Sequence, residues 1–242
     1  MIRFYFLSFL WLVFSSNTYP GETGPWELQI SNNSTSEVTL YFRNYPDSKI
    51  PEFKAITTIQ STMASVLAVL LDYDACKKWV HQCEHSFSIQ SINSREQYIY
   101  QINKLPFVKD RDVILHATLF FSEEAKNITI KLIADPDFCS RASEELSENC
   151  KSIDPSRYVR VTTAIGHYEL KEIGNNIQVT WQQYLEPGGF LPNWLAKSQL
   201  SDLPIKTLMT LHKIVKEEKY QNTSLRMNNQ ELQLTYYTEK SG

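Results

Sequence analysis

The sequence predicts an α+β fold in which one long helix near the C-terminus lies against a curved antiparallel sheet, with a cavity between the two. From residue 83 onward, apolar residues recur with a period of two, which is typical of half-buried strands. Residues 186–220 begin with the turn Pro187-Gly188-Gly189 and continue with a helical period. The apolar residues at this helical spacing are Leu200, Leu208, Leu211 and Val215. An amphipathic helix of this length needs a sheet against which it can bury its apolar face.

The remaining elements are predicted from local patterns and turn signals. Before residue 83 they are a short helical lead-in at 26–28, strands at 38–42 and 53–59, a helix capped by Thr62 that continues to Leu71, and a short helix that begins at Asp72 and carries Trp79. After residue 83 they are strands at 86–92, 97–102, 113–121, 128–133, 158–170 and 177–185, the last two joined by the hairpin turn Gly174-Asn175-Asn176. This order describes one antiparallel sheet with helices.

No linker interrupts this order, so residues 22–220 are predicted to form one domain. The polar segment 221–242 is predicted as a C-terminal tail, within which Leu232, Leu234 and Tyr236 alternate as they would in an edge strand. A chain of 242 residues readily buries one large core. Its net charge of -3 gives no reason to expect a nucleic-acid partner, and we expect a monomer.

The first residues have the three-part layout of a secretory signal peptide. Arg3 supplies a positive charge, residues 4–14 are apolar apart from Ser8, and small polar residues follow. We therefore predict a signal peptide at residues 1–18 and an exported protein, either periplasmic or secreted. The alternative is an uncleaved membrane anchor, for which the apolar run is short.

Two cysteines, Cys139 and Cys150, flank a polar segment of the chain. In the oxidising compartment that export implies, this arrangement favours a local disulfide over two free thiols.

The other two cysteines, Cys76 and Cys83, leave more alternatives. They are placed to pair with each other, but Cys83 also suits a small buried apolar position. His81 and His85 lie nearby and raise the alternative of a zinc site. Because the chain contains no Cys-x-x-Cys pair and no His-Glu-x-x-His motif, no metal site is predicted.

Four segments carry a resemblance to a known family. They are Phe53-Lys54-Ala55, the segment 72–79 that ends at Trp79, the segment 106–113 (PFVKDRDV), and the segment 186–211 with GGFLPNWLAK followed by DLPIKTLMTL. In their order and spacing, the chain resembles the START family of steroidogenic-acute-regulatory-related lipid-transfer domains, especially its bacterial exported members. The resemblance covers about residues 26–218. It implies a helix-grip (START/Bet v 1-like) fold, whose sheet wraps the C-terminal helix around an apolar tunnel.

The resemblance also implies a lid over the tunnel, formed by the loop 105–111 and the C-terminal helix. The expected cavity or lid residues are Trp79, Leu105, Phe107, Val108, Arg111, His116, Leu191, Trp194, Leu195, Leu208 and Leu211. Arg111 offers five donors to a ligand, or else it pairs with Asp110 or Asp112 and holds the loop to the sheet. His116 stands where related domains often carry a charged side chain that faces the cavity. Pro204 predicts a kink that lets residues 191–203 move separately.

The predicted function is binding, and transfer, of an apolar lipid-like ligand, with transient membrane contact and without a cofactor. The sequence contains no Gly-x-Ser-x-Gly elbow, no phosphate loop and no dinucleotide fingerprint, so no catalytic residue is predicted. The first alternative is a cyclase-like or hydrolase-like enzyme that uses the same cavity, because a fold alone does not determine function. The second is a structural domain in which the apolar helix face simply fills the core.

Overall fold

The computed structural model describes residues 23–31, 37–124, 126–141, 147–151, 153–154, 156–227 and 231–236. The predicted signal peptide at 1–18 lies outside these residues. No helix within the described ranges is both long enough and apolar enough to cross a membrane.

Twelve strands are present in the described part of the chain. They are β1 (Glu27–Ile30), β2 (Val38–Arg43), β3 (Glu52–Ile59), β4 (Cys83–Asn93), β5 (Glu96–Asn103), β6 (Arg111–Ser122), β7 (Asn127–Ala134), β8 (Val159–Arg160), β9 (Thr163–Ile173), β10 (Asn176–Glu186), β11 (Thr223–Met227) and β12 (Leu232–Tyr236). The first ten form one sheet in the order β1-β2-β3-β10-β9-β7-β6-β5-β4, and β8 pairs in parallel with the beginning of β6. Every other pairing in this sheet is antiparallel. The predicted α+β class is confirmed.

The helices flank this sheet. They are α1 (Met63–Leu71), α2 (Cys76–Trp79), α3 (Phe138–Arg141), α4 (Ser147–Lys151), α5 (Asn193–Ile214) and α6 (Glu218–Gln221), and a single 3-10 turn at Tyr73–Ala75 joins α1 to α2. Thr62 caps α1 as predicted, because its Oγ1 accepts a hydrogen bond from the backbone N–H of Ser65 at 3.1 Å. The long helix α5 packs on β2, β3 and α2.

Two element predictions were wrong. Residues 26–28 do not form a helical lead-in, because Glu27 and Leu28 pair with β2 at the edge of the sheet. The strand predicted at 158–170 is divided into β8 and β9. Val159 pairs with the beginning of β6, whereas β9 pairs with β7 and β10, so the chain changes partners between the two strands.

The long helix is continuous through its proline. Pro204 lies inside α5 and is buried, so the helix is not broken at the site of the predicted kink. Proline has no backbone N–H, which removes one hydrogen bond from the helix interior. Separate movement of residues 191–203 remains a prediction.

The sheet carries apolar clusters on both faces. On the inner face the main core lies under α1 and α5 and includes Leu208, Leu211, Val179 and Leu170. On the outer face of β4, β5 and β6 a second cluster is covered by the described parts of the segment 135–158. The residues of this second cluster include Ile89, Tyr100, Ile102, Ile114, Phe138 and Ile153. The Cys139–Cys150 disulfide, which is confirmed, closes the covering segment.

The packed structure continues beyond residue 220. Strands β11 and β12 form a two-stranded hairpin, and Leu232 and Leu225 pack against the main core. The alternation of Leu232, Leu234 and Tyr236 therefore does correspond to a strand, although this strand belongs to the separate hairpin and not to the large sheet.

A close approach of two strands at Gly166 gives the first testable prediction. An added Cβ at Gly166 would lie 2.5 Å from the carbonyl oxygen of Gln182 and 3.0 Å from the Cα of Gln183. Because backbone atoms must then move, we expect Gly166→Ala to lower the free energy of unfolding by about 2 kcal/mol in urea titrations. Gly24→Ala is the control, since its added Cβ meets Asn44 at 3.7 Å. Equal stability of the two variants would refute the expected clash.

Candidate functional site

A cavity of about 650 Å³ lies between the inner face of the sheet and the helices α1, α2 and α5. The strands β3, β5, β6, β7, β9 and β10 form its floor, and the first half of α5 covers it. The loop that joins β5 to β6 and the turn 187–191 before α5 lie at one end, which we call the lid end. This volume falls within the range of about 300–1,000 Å³ that is typical of small-molecule sites.

The end of the cavity away from the lid is apolar and aromatic. Ile130, Tyr168 and Trp181 are paired across β7, β9 and β10, so their side chains form one row on the inner face. The rings of Tyr168 and Trp181 are stacked with centroids 5.1 Å apart, and the ring of Phe53 meets Trp181 edge-on at 5.0 Å. Burial raises the pKa of the Tyr168 hydroxyl, so this group stays neutral.

Uncharged polar side chains occur nearer the lid, on the inner face of β4 and β5. Ser86 is buried, lines the cavity and lies opposite Gln101 in the antiparallel register. The Nε2 of Gln101 donates to the Oδ1 of Asn103 at 2.8 Å, and both residues line the cavity. Gln82, Gln183, Asn193 and Gln199 also line the cavity, from other elements. We call Ser86, Gln101 and Asn103, which lie together on β4 and β5, the polar cluster.

Arg111 joins the two parts of the lid end. Its side chain is 3% exposed and donates to four backbone carbonyls. The Nε reaches the carbonyl of Pro187 at 3.2 Å, and the Nη2 reaches those of Gly188 and Phe190, each at 3.0 Å. The Nη1 donates to the carbonyl of Lys109 in the β5–β6 loop. Burial lowers the pKa of Arg111. The guanidinium therefore holds the β5–β6 loop and the turn before α5 together.

The expected pairing of Arg111 with a neighbouring aspartate is wrong. Asp112 lies on the outer face, because side chains alternate along β6, and there it accepts hydrogen bonds from Arg160 at 2.7 and 3.0 Å. Asp110 accepts a hydrogen bond from the backbone N–H of Leu105 at 3.1 Å and so closes the loop on itself.

The remaining titratable groups of the wall are held by neighbours or lie near the surface. Burial alone would raise the pKa of Asp72, but hydrogen bonds from Lys219 and Tyr220 lower it. Glu186 accepts a hydrogen bond from the hydroxyl of Tyr184. Burial, and then the nearby charge of Lys206, lowers the pKa of His81. None of these groups forms a close acid–base pair with another cavity residue in the hydrogen bonds of the described chain.

Large aromatic side chains are exposed beside the lid end. Phe107 is 91% exposed at the tip of the β5–β6 loop, Phe190 is 80% exposed in the turn before α5, and Trp194 is 57% exposed in the first turn of α5. The rings of Phe107 and Trp194 have centroids 6.2 Å apart. Phe107 also has a positive φ of 67°, which a phenylalanine rarely adopts. We call these three residues the aromatic rim.

The structure separates the eleven expected site residues into four groups. Trp79, Leu105, Arg111 and Leu191 line the cavity. Phe107, Val108 and Trp194 lie at or beside the lid without lining the cavity. Leu195, Leu208 and Leu211 are buried but do not line the cavity either.

The fourth group is His116 alone, whose expected orientation is corrected. The alternation that points Val113 and Leu115 into the cavity directs His116 to the outer face. There its Nε2 lies 2.8 Å from the Oε1 of Glu96, and its ring stacks on Tyr98 with centroids 4.7 Å apart.

Cysteines reinforce one wall of the site. Cys76 and Cys83 form a disulfide that ties α2 to the first residue of β4, and Cys76 lines the cavity. The pairing that the sequence left open is thereby decided. Among the described residues there is no group of three or more histidine, cysteine, aspartate or glutamate side chains arranged to hold a metal ion.

The polar cluster was missed in the sequence. Its signal was the period of two in β5, where Gln97, Gln101 and Asn103 lie on one side and Tyr98, Tyr100 and Ile102 lie on the other. The more apolar face of a strand usually points into the protein. In β5 that expectation assigns the wrong face to the cavity, because the outer face of this strand is also buried.

Comparisons with known proteins identify relatives of this arrangement. No family model matches the sequence. An uncharacterized protein of Pseudomonas aeruginosa, PA1579, is 29% identical over 178 residues, which cover 72% of this chain and 80% of that protein. A crystal structure of a STAR-related lipid transfer protein from Xanthomonas axonopodis is 25% identical with a TM-score of 0.66, over 79% of this chain and 99% of that one. Human StAR-related lipid transfer protein 5 is 14% identical with a TM-score of 0.61, over 79% of this chain and 86% of that one.

Proposed function

We propose that this chain, which has the helix-grip fold of STAR-related lipid transfer domains, binds one apolar lipid-like molecule in its cavity and carries it between membranes as a monomer. The resemblance found in the sequence and the predicted fold are both confirmed by the structural matches. The Xanthomonas protein is described as a lipid transfer protein, and its similarity extends over 79% of this chain.

The observation that carries the proposal is the cavity itself. A floor of strands and a roof of α5 enclose about 650 Å³, with an apolar and aromatic end away from the lid. Each methylene group that a ligand buries there contributes about 0.8 kcal/mol, so that a single hydrocarbon chain suffices for tight binding.

We propose binding without covalent chemistry. Asp72 and Glu186 already accept hydrogen bonds from neighbouring residues, and Arg111 donates to backbone carbonyls. These contacts give the three side chains structural roles, which supports binding over catalysis. A cyclase-like or hydrolase-like activity would release a chemically altered ligand.

Export is part of the proposal. Two disulfides in one domain fit an oxidising compartment, and such a compartment is the destination that a signal peptide at residues 1–18 would give. A carrier in that compartment exchanges ligand with membranes that face it.

The aromatic rim is proposed to contact the membrane. Phe107, Phe190 and Trp194 are exposed together where the β5–β6 loop meets the turn before α5, at the end of the cavity closed by Arg111. Exposed aromatic side chains gain free energy when they enter the membrane interface. Ligand would then pass between the cavity and the bilayer without crossing water.

This arrangement predicts the effect of removing two aromatic rings from the rim. We expect the double variant Phe107→Ser and Trp194→Ser to bind phosphatidylcholine vesicles at least about 10-fold more weakly in a flotation assay, because even one fully buried ring contributes roughly 1.5–3 kcal/mol. Phe120→Ser is the control, since Phe120 is an exposed aromatic residue on β6 that does not line the cavity. Equal loss in both variants, or no loss in either, would argue against the rim as the docking site.

Transfer itself can be measured with two vesicle populations. Donor vesicles of phosphatidylcholine carry a pyrene-labelled monoacylglycerol, and acceptor vesicles carry none. The proposal expects a rate of transfer that rises with protein concentration and falls in the rim variant. If the protein does not accelerate transfer at any concentration, the chain is not a carrier for lipids of this kind.

A further inference from the structure

The polar cluster occupies a definite position along the cavity. Gln101 and Asn103 stand near the end of β5, immediately before the lid loop, and Ser86 is opposite Gln101 on β4. The row formed by Ile130, Tyr168 and Trp181 lies farther from the lid along the strands. The wall therefore changes from hydrogen-bonding near the lid to apolar and aromatic at the far end.

The cluster retains unused hydrogen-bonding capacity. The one side-chain bond between its members runs from the Nε2 of Gln101 to the Oδ1 of Asn103, at 2.8 Å. Within the described part of the chain, the Oε1 of Gln101, the Nδ2 of Asn103 and the hydroxyl of Ser86 have no further side-chain partner. These groups include both donors and acceptors, which is the complement of a hydroxyl or an ester carbonyl.

A tryptophan on the neighbouring helix α2 adds a donor. Trp79 is buried and lines the same cavity, and among the described residues its Nε1–H has no acceptor. Buried indole N–H groups usually have a hydrogen-bond partner, since an unpaired one costs about 1–3 kcal/mol. A ligand oxygen that accepts from this group would remove that cost.

The charged side chains of the lid end do not favour an anionic ligand. The Nε and Nη2 of Arg111 are engaged by the carbonyls of Pro187, Gly188 and Phe190. Lys49 and Lys197 also line the cavity, but both are exposed, so solvent screens their charges. Arg111 lies opposite Asn103 in the register of β5 and β6, but the charge of Asp110 acts on it and Glu186 also lines this end of the cavity. An ionised head group placed against Ser86 and Gln101 would therefore lose its hydration and gain little net positive charge in return.

We infer that the ligand is a single-chain amphiphile with an uncharged head that bears hydroxyl or carbonyl oxygens, held with its head against the polar cluster and its hydrocarbon chain towards Trp181. The inference rests on the proposed lipid-binding function and specifies its ligand class and orientation. Monoacylglycerols and long-chain alcohols have this chemistry, whereas fatty acids at neutral pH do not.

The test compares two probes with the same hydrocarbon chain. Delipidated full-length protein is titrated with monooleoylglycerol and with oleate, and the bound fraction is followed by native mass spectrometry. We expect monooleoylglycerol to bind about 10-fold more tightly than oleate. Gln101→Leu should weaken monooleoylglycerol binding about 10-fold, because the variant loses the hydrogen bonds between Gln101 and the neutral head. Oleate binding should change by less than about 2-fold.

The control is Gln178→Leu, the same chemical change on β10 at a position that does not line the cavity, and it should alter neither affinity. If Gln101→Leu does not fold, Ser86→Ala takes its place with the same expectation. Equal binding of the two probes by the unmodified protein, or equal weakening of both by the variant, overturns the inference and leaves lipid binding intact. Failure of the unmodified protein to bind either probe overturns the proposed function as well.

Discussion

Replacing Leu132 with tryptophan is expected to lower the affinity for a lipid probe about 100-fold while the protein remains folded. Leu132 lines the cavity from β7, so a larger ring at this position occupies space that the hydrocarbon chain needs. Excluding about four methylene groups from the cavity costs roughly 3 kcal/mol of binding, which corresponds to about 100-fold in the dissociation constant. Titration with monooleoylglycerol measures the change.

The next residue along the strand provides a matched control. Ile133 is 47% exposed on the opposite face of β7, so Ile133→Trp adds the same ring outside the cavity. This variant should bind the probe as the unmodified protein does. If Leu132→Trp binds normally while its melting temperature is unchanged, the lipid does not occupy this cavity.

Replacing Arg111 with methionine is expected to destabilise the protein by about 3 kcal/mol and to accelerate lipid release. The change removes the donors for four backbone carbonyls, in Lys109, Pro187, Gly188 and Phe190, and each carbonyl that stays buried without a partner costs about 1–3 kcal/mol. Water reaching the open lid offsets part of that cost. Urea titration measures the stability, and stopped-flow exchange of a pyrene-labelled monoacylglycerol measures the release.

Two further variants separate charge from geometry. Arg111→Lys keeps the positive charge but loses the planar fork, so it should behave more like Arg111→Met than like the unmodified protein. Arg157→Met removes an exposed arginine that lies over the ring of Tyr158 and should change stability by less than about 0.5 kcal/mol. Unchanged release in Arg111→Met would show that the contacts of Arg111 do not hold the lid closed.

The pattern of strands was predictable because its cause is local. In β6 and β10 the side chains alternate between two faces, and the hairpin that joins β9 to β10 turns at Gly174, whose φ is positive. Thr62 could likewise be assigned as a cap because it acts within one turn of helix. The helical lead-in predicted at β1 was wrong because four residues carry too little periodicity to distinguish a strand from a helix.

The candidate site was less predictable because its geometry depends on what covers each face of the sheet. Phe138, Cys139, Cys150 and Ile153 pack on the outer face of β4, β5 and β6, so both faces of these strands are buried. The more apolar side of β5 therefore faces away from the cavity, and Gln101 faces into it. His116 was assigned to the cavity from the family resemblance, and the alternation of side chains along β6 places it on the outer face instead.

The partners of Arg111 were hidden in a different way. They are backbone carbonyls, three of the four more than seventy residues away in the sequence, and a carbonyl carries no sequence signal. The neighbouring aspartates Asp110 and Asp112 gave a plausible local alternative as ion-pair partners of Arg111. Strand alternation excludes Asp112, because it places that side chain on the opposite face of β6. Long-range contacts between a side chain and the backbone thus set the limit of what the sequence could predict about the lid.

Native mass spectrometry of the protein, purified from its host without detergent, shows whether the cavity holds an apolar molecule and leaves it unchanged. We expect one bound molecule per monomer, which denaturation releases and which proves to be a lipid of the host membranes. If the protein remains empty after incubation with those membranes, or releases a chemically altered product, the proposed function is wrong.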